Sequence, residues 1–321
     1  MIVLWRVATD CNLACGFCAY DRRLPFARSR VHLDEVERMG RVLGEFQAQT
    51  GEAVLLSWLG GEPLAWPALL ELSSRLKQEF GLRISATTNG TTLDREPVRG
   101  TVLTAFDEIT VSVDAVGAAH ERLRGWPGGW ARLERAIRAL VAQRDADRSP
   151  QLRANVVLMH STVTGFPRLC EVLADWGIDE ITFNQLGGRD RPEFHQAEAL
   201  RADDVARLRA DVARLRPALA ARGVRLCGAD AYLDRFEASA SARPLNVEAC
   251  RLPERMLFID EHARVAPCSF TVDTYGQPTR TVRSAADLQR LQGAFMARQA
   301  KAPATPCIDC HSTQLFAKFA V

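Results

Sequence analysis

Short apolar runs rich in β-branched residues alternate with longer amphipathic stretches over the first 185 or so residues of the chain. Strands are expected at "IVLWRVAT" (2–9), "AVLLSWLG" (53–60), "LRISATT" (82–88), "EITVSVD" (108–114), "LRANVVLM" (152–159) and "EITFNQL" (180–186). Helical spacing fills the gaps at 33–48, 67–80, 94–104, 130–145 and 164–176. In the fourth of these, Trp130, Leu133, Ile137, Leu140 and Val141 fall on one stripe that a sheet can cover. Six strands, each followed by a helix, predict a parallel sheet that right-handed crossovers curl into a full or partial barrel. Chemistry in such folds gathers where strands end and loops begin.

After a charged helix at 201–222 the rhythm changes. "RMLFIDEHARVAPC" (255–268) reads as two short strands around a polar turn, followed by a helix at 284–300 and a cysteine-bearing tail. The division expected is therefore 1–222 and 223–321, with the loop-rich 237–250 as the joint.

Composition narrows the function classes. With 321 residues and 47% hydrophobic content the chain can bury a large core. No apolar run is long enough for a membrane span, and "MIVLWRVATD" lacks the features of a signal peptide, so a cytoplasmic location is expected. In a reducing compartment nine cysteines point to metal binding or catalysis before disulfides. The net charge is only +2, and the arginines of "RADDVARLRADVARLR" (201–216) are interleaved with acids, which reads as a solvated helix face and argues against a nucleic-acid footprint.

The densest chemistry is "CNLACGFC" (11–18), which places Cys11, Cys15 and Cys18 on the loop after the first strand. Three thiolates at this spacing can hold one face of a [4Fe–4S] cube and leave one iron open for a further ligand, whereas structural zinc usually recruits a fourth protein ligand. Other strand ends carry "LGGEP" (59–63), "TTNGT" (87–91) and "VSVDAVGAAHERLRG" (111–125). Each alone can be a glycine turn, an Asn-Gly turn or a strand-end cap.

Together, in this order, these motifs resemble those of the radical S-adenosylmethionine (SAM) enzymes, whose pattern is CxxxCxΦC with Φ aromatic, here Phe17. The resemblance covers roughly the first 190 residues. It implies a partial (β/α)6 TIM-like barrel of the α/β class with a small C-terminal α+β module. It implies that the cluster on Cys11, Cys15 and Cys18 binds and reductively cleaves SAM to a 5′-deoxyadenosyl radical, which abstracts hydrogen from the substrate. It further implies SAM contacts at Phe17, Gly60, Gly61, Glu62, Pro63, Thr88 and Asn89, and contacts to SAM or substrate at Ser112, Asp114 and Arg124. Two polar residues in apolar strands, Asn155 and Gln185, are further candidates, with a purely structural reading equally open.

Cys250, Cys268, Cys307 and Cys310 can close a four-thiolate site for zinc or iron–sulfur. Their position after the barrel resembles the SPASM or twitch auxiliary-cluster modules. With eleven residues beyond Cys310, one auxiliary [4Fe–4S] of the twitch arrangement is expected, although the glycine usual after the first SPASM cysteine is absent from "CRLPERM". "CIDCH" (307–311) also matches a haem attachment pattern, which a chain without an export signal does not favour. Cys170 lies on a core stripe and Cys227 reads as a buried thiol. Of the histidines, His120 belongs to the family-like stretch; Asp230, Tyr232, Asp260 and Glu261 are conceivable proton acceptors that the sequence does not rank.

The function expected is oxidative modification, by crosslink or dehydrogenation, of a ribosomally made peptide, with the auxiliary cluster taking up an electron. Modification of a small molecule such as a sugar or cyclitol in natural-product biosynthesis is the alternative, and a non-catalytic iron–sulfur electron carrier stands as another class. Expected partners are the substrate, a reductant such as flavodoxin or ferredoxin, and, for a peptide, a separate leader-recognition protein or the barrel itself. Nucleic-acid modification ranks third, on the basic "DRRLPFARSR" (21–30).

Overall fold

The computed structural model describes residues 1–145, 149–188, 190–245, 247 and 250–313. Six strands pair in parallel and in chain order: β1 (Ile2–Ala8), β2 (Leu55–Gly60), β3 (Arg83–Thr88), β4 (Glu108–Ser112), β5 (Gln151–Leu158) and β6 (Glu180–Gln185). Each lies within two residues of its expected position at either end. The helices α1 (Leu33–Thr50), α2 (Pro67–Phe80), α3 (Glu96–Ala105), α4 (Ala118–Arg124), α5 (Gly129–Gln143) and α6 (Phe166–Trp176) supply the crossovers.

Alternation along the strands decides what faces what. In β5, Leu152, Ala154, Val156 and Leu158 are buried, as are Val3, Trp5 and Val7 of β1, and they meet apolar stripes such as Leu133, Ile137 and Leu140 of α5. Each such side chain taken out of water contributes about 1.5–3 kcal/mol. The opposite faces of β3 to β6 are largely polar. Across neighbouring strands Arg83, Glu108 and Arg153 alternate in sign, at 2.9 and 3.3 Å, and Glu180 closes on Arg153 at 2.6 Å. Arg225 completes the row by pairing with Glu180.

The rest of the chain extends this sheet at both edges. After α7 (Pro192–Glu198) and α8 (Ala202–Ala220), β7 (Arg225–Leu226) joins β6, and α9 (Asp230–Ala240) follows. The chain then crosses to the other edge, where β8 (Met256–Ile259) pairs in parallel with β1 in the register Ile2↔Met256 to Trp5↔Ile259. β9 (Arg264–Ala266), α10 (Val272–Tyr275), β10 (Gln277–Pro278), α11 (Ala285–Lys301) and α12 (Thr305–Ile308) complete the order, with β9 antiparallel to both β8 and β10. The expected joint at 237–250 begins inside α9, whose Tyr232, Leu233 and Phe236 are buried; residues 246, 248 and 249 of it lie outside the described residues. No helix among the described residues is long and apolar enough to cross a membrane.

Candidate metal-cluster site

The loop after β1 is closed by its own main chain. Cys18 N–H donates to Cys15 O (3.0 Å) and Arg22 N–H to Leu13 O (3.1 Å). Arg28 gathers the carbonyls of Thr9 (3.0 Å), Tyr20 (3.3 Å) and Asp21 (2.7 Å), while Arg23 reaches Ala14 O (3.1 Å). Two arginines of the basic stretch thus act as the clasp of the cysteine loop.

Cys11, Cys15 and Cys18 carry free thiols. Burial is the largest cause pushing all three up, Cys15 to about 12. Cys18 adds a like-charge push on Cys11, and both act on Cys15, so the three sulfurs lie within electrostatic reach of one another. Each receives an N–H: Asn89 Nδ2 lies 3.8 Å from Cys11 Sγ, Arg124 Nη1 4.0 Å from Cys15 Sγ and the Tyr20 main-chain nitrogen 3.3 Å from Cys18 Sγ. Arg124 Nε, also buried, has no hydrogen-bond partner. Buried thiols that repel one another beside a guanidinium fit a group that binds thiolates and spreads their charge. Among the described residues no three His, Cys, Asp or Glu side chains are arranged to hold a single metal ion; the donor set suits an iron–sulfur cube.

The neighbouring strand ends lock onto this loop. Gly61 N–H donates to Ala8 O and Glu62 N–H to Asp10 O, both at 2.9 Å. A Cβ would stand 2.1 Å from Ala8 O at Gly60, which has φ +136°, and 1.7 Å from Asp10 O at Gly61. The close approach that demands glycine is therefore to the cysteine loop itself. Pro63 opens a 3-10 turn capped by Glu62. Burial pushes Glu62 up to about 7, against the donors that hold it: Leu64 N–H (3.1 Å) and Thr88 Oγ1 (2.7 Å) on Oε1, and Asn89 N–H (2.6 Å) on Oε2. Both oxygens are thus engaged within the chain. Asn89 Nδ2 also donates to Asn12 Oδ1 (2.9 Å), and Asn12 Nδ2 to Thr91 Oγ1 (2.8 Å).

At the fourth strand end, Ser112 is half-buried and Asp114 is buried. Asp114 Oδ1 accepts from Val157 N–H (2.9 Å), and Oδ2 pairs with Arg124 Nη2 at 2.6 Å. Arg124 thus gives part of its fork to a carboxylate of its own chain. Burial works against its charge, but Asp114 and the nearby thiols outweigh that and hold it above its ordinary value. His120 accepts from Asp114 N–H at Nδ1 (3.3 Å), and burial pushes it down to about 3. Phe17 lies under the Arg124 guanidinium, 5.3 Å from ring centroid to Cζ, and meets Phe194 at 6.1 Å.

Residues 5–146 match the model of the Radical SAM superfamily. This part of the chain is a radical SAM domain. The AdoMet-dependent heme synthase of Methanosarcina barkeri is 30% identical over 156 residues, 48% of this chain and 42% of that protein. The match thus spans less than half of that relative's length. Among solved structures, Streptococcus suis SuiB bound to its precursor peptide SuiA superposes with a TM-score of 0.66 over 98% of this chain and 70% of that one, at 14% identity. Native anSMEcpe with bound AdoMet gives 0.66 over 97% and 88%, at 16% identity. These likenesses establish the fold.

Beyond the radical SAM domain, Asn155 and Gln185 part company. Asn155 Oδ1 accepts from Thr182 Oγ1 (3.1 Å) and Asn184 Nδ2 (2.8 Å), a cross-strand network. Gln185 lines a cavity of about 790 Å³ that also takes in His195, Tyr232, Arg235, Asp309 and His311. The segment forming one wall of this cavity also covers the first thiol loop, through Phe194 on Phe17 and Arg191 Nη1 on Cys18 O (3.4 Å). Pro306, Asp309 and His311, which also line the cavity, flank Cys307 and Cys310 in the chain. Of the conceivable proton acceptors, Asp260 is held by Arg264 (2.7 Å) and Glu261 by Arg6; Tyr232 alone of the four lines the cavity.

Cys250, Cys268, Cys307 and Cys310 are free and partly buried. Burial comes first in raising Cys250, Cys307 and Cys310, and Cys268 adds a like-charge push on each. Four separate positions thus bring their sulfurs within electrostatic reach. Gln299 of α11 hydrogen-bonds toward Cys250 and Cys307, and Arg235 donates to Cys310 O. Cys170 is core and Cys227 is 1% exposed. Sequence reading passed over Asn12, Phe194, Arg191 and Gln299: Asn12 is one of the unspecified positions of the cysteine motif, α7 buries no residue, and Gln299 lies outside any recognised pattern.

Proposed function

We propose that the chain is a radical SAM enzyme that oxidatively modifies a peptide, with Cys11, Cys15 and Cys18 holding the SAM-binding [4Fe–4S] cluster. The observation that carries this reading is the convergence of three thiols with three strand-end loops that lock onto them inside a radical SAM domain. When bound, the cluster and SAM supply one-electron cleavage of a sulfonium to a 5′-deoxyadenosyl radical. The chain's own groups orient and insulate. Glu62 fixes the main chain of the GGEP segment, Asn89 ties the third loop to Cys11, and Phe17 with Phe194 covers the loop with apolar surface.

Cys250, Cys268, Cys307 and Cys310 hold an auxiliary [4Fe–4S] cluster in this reading, and the cavity between the two thiol sets holds the substrate. A cluster held by these four thiols would supply a one-electron acceptor for the electron that remains after hydrogen abstraction, before a crosslink or double bond forms. A peptide substrate is supported by the shared fold with SuiB, whose structure contains a precursor peptide. A second reading, modification of a small molecule, is supported by the relative that is a heme synthase. A flavodoxin or ferredoxin as reductant belongs to either.

The test is anaerobic reconstitution followed by reduction in the presence of SAM. Release of 5′-deoxyadenosine, with a cubane signal that changes when SAM is added, is expected. Zinc alone at the N-terminal thiols, or a cubane that SAM leaves unchanged, overturns the proposal. Product formation with precursor peptides against small molecules then decides between the two substrates.

A further inference from the structure

We infer that Arg124, held by Asp114, is the residue that sets the reduction potential of the N-terminal cluster. The inference rests on the reading of Cys11, Cys15 and Cys18 as cluster ligands. Its basis is the placement of one charge. Arg124 is 8% exposed and Asp114 2%. Nη2 of the arginine pairs with Asp114 Oδ2 at 2.6 Å while Nη1 stands 4.0 Å from Cys15 Sγ. The main chain fixes the same corner from the other side: Arg124 O accepts from Ala14 N–H (3.3 Å). Asp114 is fixed in turn by Val157 N–H at 2.9 Å. The guanidinium cannot swing away without breaking these contacts, and Phe17 lies beneath it.

The sulfurs of Cys11 and Cys18 receive neutral donors, an Asn89 amide and the Tyr20 main-chain N–H. The donor on Cys15 carries a full positive charge, and the same charge reaches Cys18 through space. Accepting one electron adds one negative charge to a cluster already carrying thiolates. A cation held in a low-dielectric setting beside a ligand sulfur favours that reduced state, and Asp114, the remoter end of the pair, subtracts part of the effect. The pair therefore acts as an oriented dipole with its positive end on Cys15. Charge at either end should move the potential, and in opposite directions.

The experiment is an anaerobic redox titration of the reconstituted full chain, followed by the paramagnetic signal of the reduced cluster. Arg124→Gln should lower the midpoint, changing the reduced-to-oxidised ratio at fixed potential by about tenfold, equivalent to about 59 mV for one electron. Arg124→Lys should restore most of the shift, and Asp114→Asn should move the midpoint upward. An Arg124→Gln protein with full iron content and an unchanged midpoint overturns the inference, as does an Asp114→Asn midpoint that falls. Loss of the cluster from both Arg124→Gln and Arg124→Lys also overturns it, since the arginine is then a packing element whose charge is immaterial. Failure of the wild-type chain to assemble any cubane is a different outcome, and sinks the cluster assignment itself.

Discussion

Glu62 accepts the Asn89 main-chain N–H at 2.6 Å, so the loop that follows β2 and the loop that follows β3 are joined through one carboxylate. That carboxylate sits in a fully buried position with Thr88 and Leu64 as its other donors.

Its titration has a defined sign. The folded value, about 7, lies above the ordinary 4.5 because burial disfavours the charge. The folded state therefore binds more protons than the unfolded chain between these values. Stability from this group is present below about pH 4.5 and is lost as pH rises to about 7, by up to about 3 kcal/mol. Denaturant unfolding of the metal-free chain at pH 5 and pH 7.5 measures this, and Glu62→Gln should flatten the difference.

Gly61→Ala should be severe. Its Cβ would meet Asp10 O at 1.7 Å, and main-chain atoms cannot yield as a side chain would. A loss of at least about 2 kcal/mol is expected, with reduced iron uptake. Gly293→Ala in α11, where nothing stands within 4 Å, should be neutral or stabilising by about 0.5–1 kcal/mol. Thermal unfolding of the two variants provides the contrast.

Replacing Cys11, Cys15 or Cys18 by Ala should abolish 5′-deoxyadenosine release. Cys268→Ala or Cys310→Ala should leave uncoupled release but block product. Full turnover by the Cys310→Ala protein removes the second thiol set from the reaction.

Glu180 is the 3% exposed centre of the charge row, between Arg153 and Arg225. Glu180→Gln removes one of the two carboxylates on Arg153 and the one paired with Arg225, at a cost of about 1–3 kcal/mol once solvent screening of the half-exposed Arg225 is allowed for. The row lies at the opposite end of the strands from the thiol loop, so cluster spectra should be unchanged.

Much of the barrel was legible because β1 to β6 carry apolar runs bounded by turn residues, and α1, α2, α5 and α6 carry clear stripes. Legibility failed where packing, not pattern, decides structure. β7 and β10 have two residues each and exist only by pairing with a neighbour. α9 was obscured because its polar residues resemble those of a joint. At the site, motif residues were found but their partners were not. Glycines 60 and 61 read as SAM contacts, and the pattern gave no sign that they also admit Ala8 and Asp10. Arg124 and Asp114 read as separate contacts to SAM or substrate, and the structure pairs them with each other across ten residues of the same motif. Such pairings depend on which loops meet at the strand ends, which linear spacing does not encode.

The parallel register between β1 and β8 has a mechanical consequence. The strand that delivers Cys11 and the hairpin that delivers Cys268 are zipped together over Ile2–Trp5, so the two halves cannot part like a clamshell without tearing the sheet. Any motion that admits a molecule to the cavity lined by His195 and Asp309 must therefore leave the β1–β8 seam intact.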